Sequence, residues 1–248
     1  MELSIIEQMA NGQASHWWFL ARAQIISKMI HYLFKRNDLN ILEIGAGTGA
    51  CMRMLLQHGT VTVVEPDPIC RQFLQRKFNI QTLHGSLPDS LPSSLGKYDL
   101  ICLFDVLEHI EDDKGSLEAL SALLAPGGRI IVTVPAYQWL WSTLDTLSHH
   151  KRRYNTKQVR AMVDGSGLSV TRLSYFNAIL LPFAIIARKY DQLFRKATTS
   201  GYGVPSAFIN SLFKRVFSLE KFILPKFILP FGLSILAVLE DQRSKTAK

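Results

Sequence analysis

With 248 residues, of which 48% are hydrophobic and 19% charged, the chain is too apolar to be disordered and long enough for one large domain with an elaborated end. Lysine and arginine outnumber aspartate and glutamate 28 to 20, a formal charge of +8, which permits attraction to nucleic acid, anionic lipid or an acidic substrate and establishes none of them. The three cysteines, Cys51, Cys70 and Cys102, show neither metal-ligand spacing nor a pairing framework, so a reducing compartment is expected. No basic stretch followed by an apolar run stands after Met1, and a cytoplasmic location is therefore expected.

Residues 1–38 are expected to form a helical cap. Ile25, Ile26, Met29, Ile30, Leu33 and Phe34 recur at helical spacing. Ahead of them, Trp17, Trp18 and Phe19 cannot all face one core stripe, so part of this aromatic surface covers a ligand or closes a sheet edge. Asn40 to Ile44 reads as a short strand running into a loop with glycine at Gly45, Gly47 and Gly49, then a helix from about Thr48 to Gln57. Val61 to Glu65 is a β-branched strand, stopped by Pro66-Asp67-Pro68, which also starts a helix to about Arg76. Ile80 to Leu83 is a weaker third strand, residues 87–96 a loop, and Tyr98 to Phe104 a buried fourth strand. A helix from about Lys114 to Leu124, a turn at Ala125-Pro126-Gly127-Gly128 and a fifth strand from Arg129 to Val134 follow. Strands alternating with helices at this spacing require a parallel sheet with helices on both faces.

Beyond Thr156 a helix to about Asp164 and a sixth strand from Gly167 to Ser174 continue the pattern. Ala178 to Ala187 is apolar but too short to span a bilayer. After Gly201-Tyr202-Gly203 comes a helix from about Pro205 to Glu220 with Phe208, Leu212, Val216 and Leu219 at helical spacing. Residues 222–239 are almost wholly apolar, yet Pro225, Lys226, Pro230 and Gly232 break them into a short lid element and a last strand, Ser234 to Leu239. The organisation expected is a cap (1–38), a cofactor-binding core (39–177), a helical insert (178–232), and a last strand with tail (233–248).

Glycine lets a ligand approach the backbone, and a helix start presents unpaired N–H groups. Gly45, Gly47 and Ala50 satisfy the dinucleotide pattern G-x-G-x-x-G/A, with Glu65 near the distance for gripping ribose hydroxyls. The loop alone therefore says nucleoside, and an NAD-dependent oxidoreductase is one reading of it. Glu43, two residues before the first glycine, repels a pyrophosphate and attracts a cationic amino acid or sulfonium.

Glu-x-Gly-x-Gly-x-Gly over residues 43–49, Glu65 at the second strand's end, Asp105-Val106-Leu107-Glu108-His109 after the fourth and Leu124-Ala125-Pro126-Gly127-Gly128 before the fifth together resemble the class I S-adenosylmethionine-dependent methyltransferases. The resemblance runs unbroken from about Leu39 to Val134 and implies a Rossmann-like, seven-stranded, mostly parallel sheet with helices on both faces, here with a helical insert before the last strand. By that resemblance Glu43, Gly45, Gly47 and Gly49 line the methionine and ribose part of the cofactor, Glu65 and Pro66 the ribose, Ser86 and Leu87 the adenine, and Phe104 and Asp105 the floor beneath it. Relatives often carry an acid near Ser86. The aromatic and arginine segment before residue 23 is similar to one in quinone-biosynthesis O-methyltransferases, which makes Arg22 a candidate for the cofactor's carboxylate.

Methyl transfer from a sulfonium is an in-line displacement that needs no catalytic side chain, although a hydroxyl acceptor benefits from a base. His109, His149, His150 and Tyr154 are candidates, His149 and Tyr154 lying in the basic run after the fifth strand where ligands of such sheets bind. Trp17, Trp18, Trp139, Arg152 and Arg153 are candidates for contact with an anionic or aromatic acceptor. Asp105, Glu108 and His109 form D-x-x-E-H, and the similar E-x-x-E-H of the quinone-related relatives has been taken as a divalent-metal site; here positioning is expected and no metal. A single basic run without a second binding element gives no expectation of nucleic acid.

The insert is rich in Phe, Leu and Ile, with Arg188, Lys189, Arg195, Lys196, Lys214, Arg215, Lys221 and Lys226 interspersed, which suits an anionic membrane surface, a lid or a subunit interface. The function expected is methylation of a small apolar or lipid-linked acceptor, oxygen favoured, by an enzyme in peripheral contact with the membrane. A non-catalytic, membrane-associated binding protein is the remaining alternative. Oligomeric state is open.

Overall fold

The computed structural model describes residues 3–186 and 204–242. Leu39–Ile44 (β1), Gly59–Val64 (β2) and Tyr98–Phe104 (β4) are buried in runs rather than at alternate residues, as strands covered on both faces must be. Gln81–Leu83 (β3), Leu124–Pro135 (β5), Leu168–Phe176 (β6) and Ser234–Asp241 (β7) complete one seven-stranded sheet in the order β3-β2-β1-β4-β5-β7-β6. The first five strands run parallel, and β7 inserts antiparallel between β5 and β6. Strand order reverses between β1 and β4, and at such a switch point the carboxyl ends of neighbouring strands open a crevice.

One face of the sheet is covered by Trp17–Phe34 (α2), Met52–Leu55 (α3) and, further along the chain, Ala207–Ser218 (α9), whose Ile25, Met29, Met52, Leu55 and Phe217 meet in one core. The other face is covered by Asp113–Ser121 (α5) and Thr156–Val163 (α7), through Leu117, Leu120, Val159 and Met162. Leu3–Ser15 (α1) packs on Pro68–Phe78 (α4), Ile6 and Ala10 meeting Cys70 and Phe73. The helix ends follow from local chemistry. Asp67 accepts hydrogen bonds from the Ile69 and Cys70 amides at 2.7 and 3.0 Å, with Pro68 in the first turn, and Asn79 closes α4 at φ +52°. Asn155 and Gln158 form a reciprocal capping box at the start of α7.

Several boundaries differ from the sequence-based expectation. The helix expected from Thr48 begins only at Met52, because Gly47 and Gly49 hold left-handed φ values of +53° and +76° that no right-handed helix accepts. Ala125-Pro126-Gly127-Gly128 is a wide bulge inside β5 rather than a turn before it: Leu124 pairs with Tyr98 and Arg129 with Leu100. The strand β6 continues to Phe176 and β7 to Asp241, each past its expected end. A helical segment over residues 181–186 (α8) follows β6, and Glu220–Ile223 (α10) ends just before Pro225. Arg188, Lys189, Arg195, Lys196 and Gly201-Tyr202-Gly203 lie outside the described residues. Among the described residues no helix is long and apolar enough to cross a membrane.

Candidate active site

The loop leaving β1 and the residues ending β2 and β4 meet at the switch point. The Gly45 amide donates to the Val64 carbonyl at 2.8 Å, which holds the loop against β2. At Gly49 a Cβ would lie 2.6 Å from Leu74 and 2.9 Å from Phe78, so that glycine serves packing against α4. A Cβ at Gly47 would meet nothing within 4 Å. Gly47 therefore opens its backbone to whatever fills the crevice.

Three carboxylates ring this opening. Glu43 is 3% exposed, and its Oε2 has no hydrogen-bond partner among the described residues. Burial pushes its pKa up to about 8, Arg22 opposing the rise and Glu65 adding to it. Glu65 accepts from the Gly47 amide at 2.9 Å and from the Asp67 amide at 3.1 Å. Burial raises its pKa as well, against those two hydrogen bonds. Asp105, at φ +58°, accepts from Thr133 Oγ1 at 3.2 Å and pairs with the Arg22 guanidinium. Arg22 is itself buried, with its guanidinium carbon 4.2 Å above the Trp18 ring and its Nε without a hydrogen-bond partner among the described residues.

Beyond Asp105 lies a second group of polar side chains. Glu108, in the 3-10 turn Leu107–His109, is 0% exposed with neither carboxylate oxygen hydrogen-bonded among the described residues, and burial, reinforced by Asp105, raises its pKa well above the carboxylate range. The His150 Nε2 lies 4.0 Å from Glu108, and its Nδ1 lies 2.9 Å from Asp145 Oδ1. The His109 and His150 rings stand edge to face at 4.7 Å, and burial followed by His150 lowers the His109 pKa. Asp145 is also gripped by Arg153 through Nε at 2.8 Å and Nη2 at 2.9 Å. Burial alone would raise the Asp145 pKa; the hydrogen bonds from His150, Arg153 and Ser142 outweigh it and hold the group well below its usual value. One ligand atom from each of Glu108, His109 and His150 falls within 4.8 Å of the other two, so the same donors suit a divalent cation.

A methyltransferase-domain family matches residues 18–178, which span both groups of side chains. The chain belongs to this family. It is a class I S-adenosylmethionine-dependent methyltransferase, and S-adenosylmethionine is its cofactor. The oxidoreductase and non-catalytic readings of the glycine loop are thereby set aside. Among curated relatives, a ubiquinone biosynthesis O-methyltransferase of Vibrio parahaemolyticus is 26% identical over 144 residues, covering 52% of this chain and 60% of that one. One from Aeromonas salmonicida is 24% identical over 189 residues, covering 65% of this chain and 79% of that one. This chain thus spans about 60% of the length of the Vibrio relative. Among solved structures, a protein in complex with the Trm112 methyltransferase activator of Haloferax volcanii aligns with TM-score 0.60 at 14% identity, over 96% of this chain and 94% of that one. A TehB-like SAM-dependent methyltransferase of Corynebacterium glutamicum aligns with TM-score 0.54 at 15% identity, over 89% and 88%. At such identities these two structures speak to the fold.

The methyltransferase's own residues fit its cofactor. S-adenosylmethionine presents an ammonium and a sulfonium, which Glu43 with its free oxygen and Asp105 would attract, and a ribose diol, which Glu65 would hold once released from the Gly47 amide. Arg22, ion-paired to Asp105, would be a cation within the site for the cofactor carboxylate. Phe104 is buried beneath the crevice at the end of β4, while Pro66 and Ser86 are exposed and Leu87 half-buried along its β2 and β3 side.

The residues expected around the acceptor divide sharply. His109 lies in the second group, and Trp18 is half-buried against Arg22. Trp17 points elsewhere, its amide bonded to Asn210 at 2.8 Å and its ring against Phe213 and Phe217 at 5.4 and 6.0 Å. Tyr154 is buried with its hydroxyl 2.9 Å from Asp113 and 3.1 Å from the Leu107 carbonyl, and burial raises its pKa. Arg152 pairs with Asp113 and Glu111, and Arg153 with Asp145. His149 is exposed, at φ +56°, and Trp139 is 63% exposed. At the cluster's centre, His150 was among the candidate bases, while Asp145 was not expected as a site residue. The capping-box spacing of Ser142 and Asp145 was legible; that the same carboxylate would also receive His150 and Arg153 depends on how the 142–154 loop folds back.

Proposed function

We propose that this methyltransferase methylates a hydroxyl oxygen of a small apolar or lipid-linked acceptor, with His150 as the base that takes the hydroxyl proton. The observation that supports this most strongly is the 2.9 Å contact between His150 Nδ1 and Asp145. An ionised Asp145 accepts the Nδ1 proton, which leaves Nε2, 4.0 Å from Glu108, as the lone-pair nitrogen. When bound, S-adenosylmethionine supplies an electrophilic methyl carbon. The chain's own residues hold the acceptor oxygen in line with it, exclude water and receive one proton at His150 Nε2. Asp145, itself fixed by Arg153 and the start of Thr143–Leu147 (α6), keeps the imidazole in that tautomer.

The acceptor's apolar character is supported by the exposed Phe208, Phe222, Phe227 and Ile228 of the insert, with Lys221 and Lys226 beside them. Such a face suits acceptor delivery from an anionic membrane in peripheral contact with the enzyme.

The test begins with methyl-labelled S-adenosylmethionine, lipid and small-molecule extracts, and mass spectrometry of products. An O-methyl ether or ester is expected; a C- or N-methyl product overturns the acceptor assignment. With the acceptor in hand, His150→Ala is expected to lower kcat by roughly 10²-fold or more with S-adenosylhomocysteine affinity retained. An unchanged kcat removes His150 from the chemistry. Dialysis against EDTA is expected to leave kcat unchanged, and a loss restored by a divalent cation would replace the base with a metal held by Glu108, His109 and His150.

A further inference from the structure

A groove separate from the crevice runs along α2, between it and the α3 and α4 side of the molecule. It begins behind the glycine loop at Thr48 and Gly49, where Thr48 is hydrogen-bonded to Gln13, and descends past Ser27, His31 and His58, with a volume of about 960 Å³. It continues around Lys28, His31, Lys221 and Phe222 into a second hollow of about 580 Å³ that reaches Lys35 and Lys226. The two hollows share those four residues and so form one channel.

Its charge is one-sided. Lys28, Lys35, Arg53, Lys77, Lys221 and Lys226 line it, and among the described residues no aspartate or glutamate does. Among the described residues none of the six has a carboxylate within ion-pair distance. Six like charges around one channel repel one another unless an anion enters. The effect is visible at Lys77, whose pKa is lowered by burial and then by Arg53. His58 adds an independent sign: it lines the channel at 5% exposure, its Nε2 lies 2.8 Å from Ser27 Oγ, and its Nδ1 has no hydrogen-bond partner among the described residues. The walls are equally distinctive. Phe19, Leu20, Met54, Phe78 and Phe222 supply apolar surface between the cations, and a ligand of phosphate alone would leave it wet.

We infer that this channel is a binding site for a phosphate-headed lipid, the headgroup held among Lys28, Arg53, Lys77 and His58 and the acyl or prenyl chain laid along Phe19, Phe78 and Phe222. Charge complementarity decides against a neutral lipid, and the apolar walls decide against free phosphate. The site goes beyond the proposed methyl acceptor: it begins behind the glycine loop and shares no residue with the His150 cluster, only Lys221, Phe222 and Lys226 with the insert face, and binding here neither requires nor implies O-methylation.

The test uses the full-length protein with dodecyl phosphate below its micelle concentration, followed by calorimetry. Dodecyl phosphate is expected to bind at one site, and Lys28→Ala combined with Arg53→Ala to weaken it by about tenfold or more while S-adenosylhomocysteine affinity stays unchanged. Retained cofactor affinity shows that the variant is folded. Phe222→Ala, on an exposed side chain, is expected to weaken dodecyl phosphate and leave inorganic phosphate unaffected. The inference fails if dodecyl maltoside binds as tightly as dodecyl phosphate, if inorganic phosphate competes at equal concentration, if a single-stranded oligonucleotide binds more tightly than the lipid, or if the charge variant binds normally.

Discussion

Two glycines one residue apart in the same loop do different work, and their substitution separates the effects. Gly47 faces open space, so Gly47→Val costs only the left-handed backbone, about 1–2 kcal/mol, while the branched side chain fills the crevice. Such a variant is expected to melt cooperatively a few degrees below the parent and to bind S-adenosylhomocysteine at least 100-fold more weakly; calorimetric affinity near that of the parent would remove Gly47 from the cofactor site. Gly49→Ala, by contrast, drives a methyl group toward Leu74 and Phe78 and is expected to act mainly on stability. Glu43 carries a proton consequence. Its carboxyl is pushed up to about 8 by burial, so at pH 7 it is mostly protonated in the free protein, and a cofactor ammonium placed beside it favours the ionised form. Binding at pH 7 is expected to release about one proton, seen as a binding heat that differs between phosphate and Tris buffers, and Glu43→Gln is expected to abolish that difference. A buffer-independent heat in the parent protein would show that Glu43 does not face the cation.

Among the elements, the parallel core was readable because each strand carries its own signal: unbroken apolar runs, the Pro66-Asp67-Pro68 stop, and carboxylates set immediately after strand ends. The positions of the crevice carboxylates were readable for the same reason, since Glu65 and Asp105 directly follow β2 and β4 and Glu43 lies one residue before the end of β1. The geometry of the second polar group was not, although His150 and Arg153 were candidates. Asp145, His150 and Arg153 belong to a loop whose partners are chosen by packing over Glu108, and Tyr154, which looked available from its basic neighbours, is drawn inward by Asp113. The joint between β6 and the insert was likewise invisible. Glu220, at 0% exposure on the short helix α10, accepts from the amides of Asn177, Ala178 and Ile179 at 2.6, 2.8 and 3.3 Å, tying the start of the insert to its end. Burial raises its pKa against these bonds. Removing the side chain leaves buried amides without acceptors, so Glu220→Ala is expected to destabilise the protein by about 2–4 kcal/mol in urea denaturation, with Glu220→Gln recovering part of the loss. A loss below 0.5 kcal/mol would mean that the insert closes without this cap.

For the whole molecule, the shifted groups combine into a definite dependence of stability on pH. Glu43, Glu65, Glu108 and Glu220 have pKa values raised by burial, so the folded protein keeps protons that the unfolded chain releases. Their contribution is complete below the unfolded carboxylate value of about 4.5 and is lost as pH rises through the folded values. His16, His58 and His109 are lowered by burial, so their contribution is lost as pH falls below about 6.5. Asp145, held low by His150 and Arg153 despite burial, contributes above its unfolded value of about 3.8 and loses that contribution in stronger acid. Between pH 4.5 and 6.5 the carboxylates and histidines oppose one another, and above 6.5 the carboxylates act alone. The melting temperature is therefore expected to peak near pH 6 and to fall by roughly 3–10 °C by pH 8.5, the size set by one to three kcal/mol in a chain of this length. S-adenosylhomocysteine retains the ammonium that favours ionised Glu43, so at saturation it is expected to flatten the alkaline fall as well as raise the whole curve, whereas a ligand that touched none of these groups would raise the curve in parallel. Scanning calorimetry from pH 5 to 8.5, with and without S-adenosylhomocysteine, distinguishes the two, and a parallel displacement would separate cofactor binding from the buried carboxylates that ring the glycine loop.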